Sequence, residues 1–309
     1  MSYEVIIPFL QPIRKLLESK TISEIMVNPD SSVWIEENGR IQLQPDIRFD
    51  DGALQTGLEV IANRSGKKLD ADSPILNLRL PDGSRLAAMI PPVVNPRPLM
   101  TIRKFTSRNF SLEDLARRKM LTAEMGEMLA DRVRRGDNIL IAGGTGTGKT
   151  TLLNVLADFI PDDERILVIE DTAELHIRKA HVVSAESQTD THRNAVTFDD
   201  LLKAVLRHRP DRIIVGEVRG SEARTLLDAM NTGHRGTLAT VHAGSAEEAV
   251  HRVATLAMRA SGALPLVSIE DEIRRCLDLV VYIARRDGRR SIESLLKPRE
   301  LRLPAIQTH

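Results

Sequence analysis

The sequence predicts an α/β protein in which a smaller N-terminal domain with an antiparallel sheet precedes a larger domain with a mostly parallel sheet. Three observations support this fold class. With 309 residues, the chain exceeds the size that one ordinary hydrophobic core accommodates. Short alternating runs joined by turn residues fill about the first hundred residues, whereas apolar strand-like runs alternate with helical patterns after residue 138. A glycine-rich segment, 143–151, lies between the first of those apolar runs and a helical pattern.

Turn residues and apolar periodicity define the elements of the first domain. Helical apolar spacing predicts helices over 5–17 and 51–64, and Gly66 would cap the second. Asn38-Gly39 and Asp82-Gly83 are typical of tight turns between antiparallel strands. The predicted strands are 24–27, 32–35, 41–43, 76–80, 85–90 and 99–104, and the proline-rich segment 91–98 is excluded from them.

We place the domain boundary in the polar segment after residue 105, which gives domains 1–105 and 106–309. Ser111-Leu112-Glu113-Asp114 matches a helix capping box, and the residues from Thr122 match it more loosely. Two helices are therefore expected between the boundary and the glycine-rich segment.

The larger domain alternates strand-like and helical segments. Thr197 and Ser221 begin two of the predicted helices. The apolar runs that read as buried strands are 138–142, 166–169, 213–215, 237–241 and 279–283. Such alternation implies a mostly parallel sheet covered by helices on both faces. We expect a polar loop over 186–194 and a flexible tail from about residue 297.

Composition and charge favour a globular protein of the cytoplasm. Hydrophobic residues make up 42% of the chain and charged residues 28%, and no apolar run reaches the length of a membrane span. We expect no secretion signal and a cytoplasmic protein that can still dock on a membrane complex. Lys+Arg 43 against Asp+Glu 43 gives no overall attraction to nucleic acid. Cys276 is the only cysteine, which excludes an intrachain disulfide and a cysteine-built zinc site.

The glycine-rich segment matches the pattern G-x-x-x-x-G-K-[ST] and is flanked by a strand and a helix. In such a loop the backbone N–H groups cradle phosphates, and the helix N-terminus adds partial positive charge. Lys149 would reach the β- and γ-phosphates, and Thr150 would offer a hydroxyl to Mg²⁺. The residues predicted to bind the nucleotide are Gly143, Thr145, Gly146, Thr147, Gly148, Lys149, Thr150 and Thr151.

Two apolar strands end in carboxylates that should face the same crevice. Glu217 would order Mg²⁺ through water or polarise the water that attacks the γ-phosphate; alternatively, it is an ordinary surface glutamate. Glu170 is a better candidate than Asp171, which should point to the opposite face if the strand continues. The alternative role for Glu170 is to act as a helix N-cap for whatever follows it.

Two polar residues, Thr240 and His242, alternate near the end of a third strand. His242 is a candidate γ-phosphate sensor, and the equal alternative is a buried histidine with satisfied hydrogen bonds. The basic segments 132–135 and 285–290 are either docking surfaces or solvated faces.

Taken in order, these motifs resemble the Walker A, Asp box, Walker B and His box of the type II/type IV secretion traffic ATPases. The segments that carry the resemblance are 143–151, 169–175, 206–219 and 231–243, within about residues 100–283. Residues 80–85 and 101–105 also resemble the N-terminal domain of that family. The chain is most similar to the TrbB-like, conjugal-transfer branch. It lacks the cysteine quartet of the type II secretion and pilus-extension branch, and its N-terminus is shorter than that of tight-adherence pilus ATPases.

The resemblance implies a RecA-like P-loop NTPase domain, ATP and Mg²⁺ as ligands, and a homohexameric ring. It implies that Glu217 is the catalytic carboxylate and that Glu170 is the Asp-box acid near Mg²⁺, with Thr150, Glu170 and Glu217 as the residues around the metal. His242 falls in the His box. Arg85 and Arg103 match N-terminal arginines that approach the phosphates, and their alternative is a solvated strand face. Arg207 and Arg219 are further candidates.

The function implied is an ATP-hydrolysing motor that energises a type IV secretion or conjugal transfer apparatus, at the cytoplasmic side of the inner membrane. Its expected partners are further copies of the chain and inner-membrane secretion components. One alternative is an ATPase for type IV or tight-adherence pilus assembly. A nucleic-acid translocase is another, although 3% aromatic residues and no basic-aromatic run argue against direct nucleic-acid binding. A third is a scaffold that nucleotide binding alone switches.

Overall fold

A six-stranded sheet and a seven-stranded sheet organise the two units of the protein. The computed structural model describes residues 6–37, 39–50, 52–104, 110–187, 195–261 and 264–301. Its two compact units are Met1–Arg108 and Asn109–His309. The predicted boundary after residue 105 stays a prediction, because residues 105–109 lie outside the described part.

The first unit contains an antiparallel sheet with helices on one face. Its strands are β1 Ile22–Val27, β2 Val33–Glu37, β3 Arg40–Leu43, β4 Ile75–Arg79, β5 Arg85–Met89 and β6 Leu99–Arg103, in the order β3-β2-β1-β6-β5-β4. Its helices are the 3-10 helix Ile7–Ile13, α1 Arg14–Glu18 and α2 Ala53–Arg64. Alternate strand residues such as Ile25, Leu86 and Ile102 form one core with the apolar faces of these helices.

The end of α2 follows the sequence prediction. Gly66 has a φ of +70°, which favours glycine, and its N–H donates to the carbonyl of Asn63 over 3.1 Å. The N–H of Lys67 donates to Ala62 over 2.9 Å, which completes a Schellman motif. The hairpin between β2 and β3 also forms at the predicted place, although Asn38 lies outside the described residues.

The second unit contains a mostly parallel sheet. Its strands are β7 Ile139–Gly143, β8 Ile166–Glu170, β9 Val182–Glu186, β10 Arg212–Val218, β11 Leu238–Val241, β12 Leu279–Arg286 and β13 Arg289–Leu296, in the order β13-β12-β7-β11-β10-β8-β9. All pairings are parallel except that of β12 with β13. Its helices are α3 Leu112–Arg117, α4 Ala123–Arg134, α5 Lys149–Ala157, α6 Phe198–Val205, α7 Glu222–Asn231, α8 Ala246–Ser261 and α9 Leu266–Cys276, followed by a 3-10 helix, Pro298–Glu300.

Helices cover both faces of this sheet, as the apolar runs predicted. In β7, Ile139 and Ile141 belong to one core with α3, α4 and α5, whereas Leu140 and Ala142 belong to the other core with α6 to α9. Strands buried on both faces need the continuous apolar sequence seen here rather than an alternating one. The α/β fold class predicted from the sequence is therefore confirmed.

Side-chain caps begin several helices of this unit where the sequence places them. Ser111 and Thr197 each form a complete capping box with the acid three residues later, and Thr122 accepts from the N–H of Met125. Of the helices in the described ranges, none is long and apolar enough to cross a bilayer.

Two predictions for this unit need correction. Glu186 is the last residue of β9 rather than part of a polar loop, and it accepts a hydrogen bond of 2.9 Å from the N–H of Ala173. Residues 188–194 lie outside the described part. The beginning of the supposed flexible tail is packed, because Pro298 is buried in the final 3-10 helix and Leu301 contacts the core.

Candidate functional site

The glycine-rich loop connects β7 to α5 at the carboxyl edge of the parallel sheet. A Cβ on Gly143 would lie 2.4 Å from the carbonyl oxygen of Ile283, so only glycine fits beside β12. Gly146 and Gly148 have φ values of +72° and +101°, which L side chains rarely adopt. The glycines of the motif are therefore required by the backbone path of the loop itself.

Internal hydrogen bonds brace this loop. The hydroxyl of Thr147 is buried and donates to the carbonyl of Gly144 over 2.9 Å. The ammonium of Lys149 donates to the carbonyls of Gly143 and Gly144 over 2.9 and 3.0 Å. Burial lowers the pKa of Lys149, and the nearby carboxylates of Glu217 and Glu174 act in the opposite direction.

The first turn of α5 remains open to an anion. Gly148 is its N-cap, no side chain caps the helix, and its first turn contains no acid. The unpaired N–H groups and the helix dipole together favour negative charge at this point. Thr145 is exposed, and Thr150 and Thr151 are half-buried at the start of the helix.

Glu217 lies at the same edge, close enough to Lys149 to affect its pKa. It belongs to the last part of β10, where the pairing with β11 shifts register between Val215 and Val218. Such an irregularity changes the direction of the side chains that follow it. The hydroxyl of Thr240 donates to the carbonyl of Gly216 over 2.6 Å and fixes the backbone immediately before Glu217.

Arg219 joins Glu217 to a second acid. Its guanidinium donates to Glu217 from Nε over 2.7 Å and again from Nη2, and Nη1 donates to Asp171 over 3.2 Å. Burial alone would lower the pKa of Arg219, but its bond to Glu217 and the surrounding acids raise it. The buried carboxylate of Glu222 accepts the N–H groups of Arg219 and Gly220 over 2.6 and 2.7 Å, and so holds this turn.

The sequence predicted that Asp171 would point away from the site if its strand continued. In the structure it lies at the site instead. The prediction assumed that the strand continues past Glu170, but β8 ends there. Strand alternation therefore does not apply to Asp171, whose carboxylate is instead exposed and paired with Arg219.

Glu170 is buried, with 3% of its surface exposed. Its Oε1 accepts from the N–H groups of Glu174 and Leu175 over 2.8 and 2.9 Å, and its buried Oε2 has no hydrogen-bond partner in the described residues. Burial raises the pKa of Glu170 to about 7, against those two hydrogen bonds. A Cβ on Gly216 would lie 2.9 Å from Glu170 Cγ, so only glycine leaves room for it. No helix follows Glu170, because residues 171–181 are non-helical, so the helix-capping alternative is wrong; its role near Mg²⁺ stays a prediction.

Glu174 is a site residue that the sequence reasoning did not single out. Its Oε2 lies 3.5 Å from the hydroxyl of Thr150, which is longer than an ordinary hydroxyl–carboxylate hydrogen bond. The sequence shows several acids in and after the end of β8, but it gives no reason to prefer Glu174 over Asp171. Only the fold of the segment onto Glu170 brings Glu174 to Thr150.

The remaining candidates are distributed over both units. His242 follows the end of β11 and is exposed, so the alternative of a buried histidine is wrong, while its sensor role is untested. Arg85 and Arg103 lie opposite each other on β5 and β6, and Arg103 Nε is 3.6 Å from Glu24 Oε1. Arg207 follows α6 and precedes β10, at the sheet edge opposite the loop.

Three comparisons relate this architecture to known proteins. A family model described as type II/IV secretion system protein matches residues 9–295. The conjugal transfer protein TrbB of Rhizobium radiobacter is 36% identical over 285 residues, which cover 91% of this chain and 84% of that protein. The type IV secretion system protein VirB11 of Bartonella quintana is 33% identical, with coverage of 92% and 90%. Among solved structures, the VirB11 ATPase of the Brucella suis type IV secretion system, in complex with sulphate, is 27% identical, with coverage of 95% and 94% and a TM-score of 0.52.

Proposed function

Since the chain belongs to the type II/IV secretion system protein family, we propose that it is an ATP-hydrolysing motor of a type IV secretion or conjugal transfer apparatus. The family and the structural likeness to a VirB11 ATPase support ATPase activity in general. The similar TrbB and VirB11 proteins are named for conjugal transfer and type IV secretion, which supports that process here.

One observation carries the proposal: the phosphate-binding loop and an acid share one edge of the sheet, with Glu217 in electrostatic range of Lys149. Backbone N–H groups and Lys149 bind the triphosphate, and the open first turn of α5 adds its dipole. Glu217 then orients or deprotonates the attacking water for in-line displacement at the γ-phosphate. Arg219, bound to Glu217, keeps this carboxylate in place.

The oxygen groups beside the loop suit Mg²⁺. This cation prefers hard oxygen ligands and keeps several waters, so it needs only one or two protein groups besides phosphate. Thr150 and Glu174, with their oxygens 3.5 Å apart, would hold the ion with Glu217 nearby. Glu170 uses Oε1 to anchor the Glu174 segment, so it would act on a bound metal chiefly by placing Glu174. Bound Mg²⁺ would neutralise charge that develops on the phosphates.

We propose further that six copies form a ring at the inner membrane and contact secretion components there. Arg85 and Arg103 of the first unit would complete the site by meeting the γ-phosphate, from the same or a neighbouring copy. Their paired positions on adjacent strands support a joint role, because guanidinium groups match the charge and geometry of a phosphate.

Phosphate release and nucleotide binding, measured on the purified chain, test the proposal. Lys149→Gln should lose both, because the triphosphate loses its cation. Glu217→Gln should keep binding and lose turnover by at least about a hundredfold, as expected for a catalytic acid or base. Glu247→Gln, an exposed residue at the start of α8, is the matched control and should match wild type. Full turnover in either site variant refutes the proposal.

Two further measurements separate this function from its rivals. Strong stimulation of turnover by single-stranded DNA that weakens with salt would indicate a nucleic-acid translocase instead. If Glu217→Gln still supports transfer in cells while it binds nucleotide, the chain is a nucleotide-dependent scaffold. Sedimentation with and without Mg²⁺-nucleotide tests the hexamer.

A further inference from the structure

The hairpin of β12 and β13 carries a basic cluster to which the proposed mechanism gives no role. The four arginines that face one another across its turn are Arg285, Arg286, Arg289 and Arg290. All four are exposed, and Arg286 pairs with Glu293 through hydrogen bonds of 2.6 and 2.7 Å. Like charges directly opposite each other destabilise paired strands. Neither alternative predicted from the sequence, a docking surface or a solvated face, explains why the hairpin keeps this destabilising arrangement of charges.

The hairpin stands beside the phosphate-binding loop. β12 is parallel to β7, and Ile283 is level with Gly143, the first residue of the loop. The two strands are so close there that a Cβ on Gly143 would be 2.4 Å from the Ile283 carbonyl. β12 then continues to Arg286, so the hairpin turn projects past the sheet edge on which the loop lies.

At the carboxyl edge of the sheet, acidic and basic residues lie on opposite sides of β7. In the sheet order, β8 and β10 lie on one side of β7 with the acids Glu170, Asp171, Glu174 and Glu217, and the arginine hairpin lies on the other. The end of the loop lies near the acidic side, since the Thr150 hydroxyl is 3.5 Å from Glu174 Oε2 and Glu217 is close enough to affect the pKa of Lys149. In loops of this type the lysine reaches the β- and γ-phosphates. A bound nucleotide therefore directs its terminal phosphate toward β10 and its nucleoside toward the hairpin.

Arg290 is the member of the cluster whose stem contacts the loop. A Cβ on Gly148 would lie 3.7 Å from Arg290 Cδ and 3.3 Å from Met120 Cε. The N–H of Ile292 donates to the carbonyl of Met120 over 2.8 Å, which ties β13 to the turn between α3 and α4. The stem of Arg290 and the buried thioether of Met120 therefore border the loop on its nucleoside side.

On the premise that the proposed nucleotide site is correct, we propose that Arg290 binds the nucleoside half of the nucleotide, with its guanidinium against the face of the base. Guanidinium groups attract the faces of aromatic rings, and thioethers also pack against ring edges. Arg289 is the neighbouring residue on β13, and its side chain points to the opposite face of the strand. It carries the same charge but cannot make this contact.

Competition binding on the full-length chain tests the assignment. Dissociation constants for ADP and for inorganic tripolyphosphate are measured with wild type, Arg290→Ala and the matched control Arg289→Ala. We expect Arg290→Ala to bind ADP about tenfold more weakly, in line with the loss of one cation–aromatic contact. Its tripolyphosphate affinity should stay within about twofold of wild type, and Arg289→Ala should retain both affinities.

The outcomes separate the two proposals. Equal losses for ADP and tripolyphosphate would show that Arg290 grips phosphate instead, and an unchanged ADP affinity would show that it touches no part of the nucleotide; either overturns the inference. If Arg290→Ala misfolds by circular dichroism, Arg290→Lys decides: it keeps the charge without the planar group, so ADP binding should still weaken. A wild-type chain that binds neither ligand would refute the nucleotide site itself.

Discussion

Replacing Glu170 with glutamine should remove a pH-dependent loss of stability from the second unit. Burial raises the pKa of Glu170 from the ordinary 4.5 to about 7, so the folded chain holds a proton between those values that the unfolded chain releases. Stability from this group is complete below pH 4.5 and is lost as pH rises through 7. A shift of this size corresponds to about 3 kcal/mol. The glutamine side chain would keep an acceptor for the N–H groups of Glu174 and Leu175 without any charge to bury.

Scanning calorimetry without nucleotide or Mg²⁺, at pH values from 5 to 8, measures the effect. At pH 5, Glu170→Gln and wild type should unfold at temperatures within a few degrees of each other. At pH 8 the variant should unfold about 6 to 12 °C higher, because 1 kcal/mol shifts a unit of this size by roughly 2 to 4 °C. Glu247→Gln, exposed on α8, should follow wild type throughout. Parallel curves for Glu170→Gln and wild type would refute the argument, because they would mean that Glu170 is ionised in the folded chain at low pH.

Three further substitutions test how the sheet holds the site. Gly236→Ala should destabilise the second unit by about 3 kcal/mol in denaturant titrations, since its Cβ would lie 1.9 Å from the buried guanidinium of Arg212 at a φ of +73°. The control Gly233→Ala has a φ of +105° and open space around its Cβ, so it should destabilise the unit clearly less. Equal losses of stability in the two variants would contradict the steric argument. Asn138→Ala should cost about 2 to 4 kcal/mol in the same titration, because its buried amide bonds the carbonyl of Cys276 and the N–H of Thr237; a loss below about 1 kcal/mol would mean that water replaces it. Thr240→Val should lower kcat more than it raises KM, because it frees the carbonyl before Glu217; unchanged kcat would show that this bond does not position the acid.

The sequence predicts the loop and the helix starts because those features depend on local chemistry. A G-x-x-x-x-G-K-T match between a strand and a helix predicts the positive φ value found at Gly148, the second glycine of the pattern. The capping boxes at Ser111 and Thr197 are complete within four residues, so no distant contact is needed to form them. Continuous apolar runs likewise predict buried parallel strands, since such strands face helices on both sides.

What the sequence does not predict depends on contacts between distant segments. The fold of residues 171–175 onto Glu170 turns Asp171 toward Arg219 and brings Glu174 to Thr150, and strand alternation cannot describe it. The sequence does not predict β13, because its first residues are arginines, which are more typical of an exposed charged segment. Only the pairing with β12 makes this segment a strand. Glu186 lies in a polar stretch, yet pairing with β8 and the bond to Ala173 make it part of the sheet.

The position of Glu217 illustrates why the site needs the whole sheet edge. One side of its strand end is fixed by Thr240 through the carbonyl of Gly216, and the other by Glu222 through the N–H groups of Arg219 and Gly220. Thr240 is two residues before His242, so this hydrogen bond, together with the pairing of Val241 with Val218, connects the end of β11 to the backbone beside Glu217. Thr240 is 2% exposed and its hydroxyl donates over 2.6 Å, so loss of the hydroxyl leaves the Gly216 carbonyl without this partner. We therefore expect a ligand contact at His242 to influence the position of Glu217, and Thr240→Val should weaken that influence.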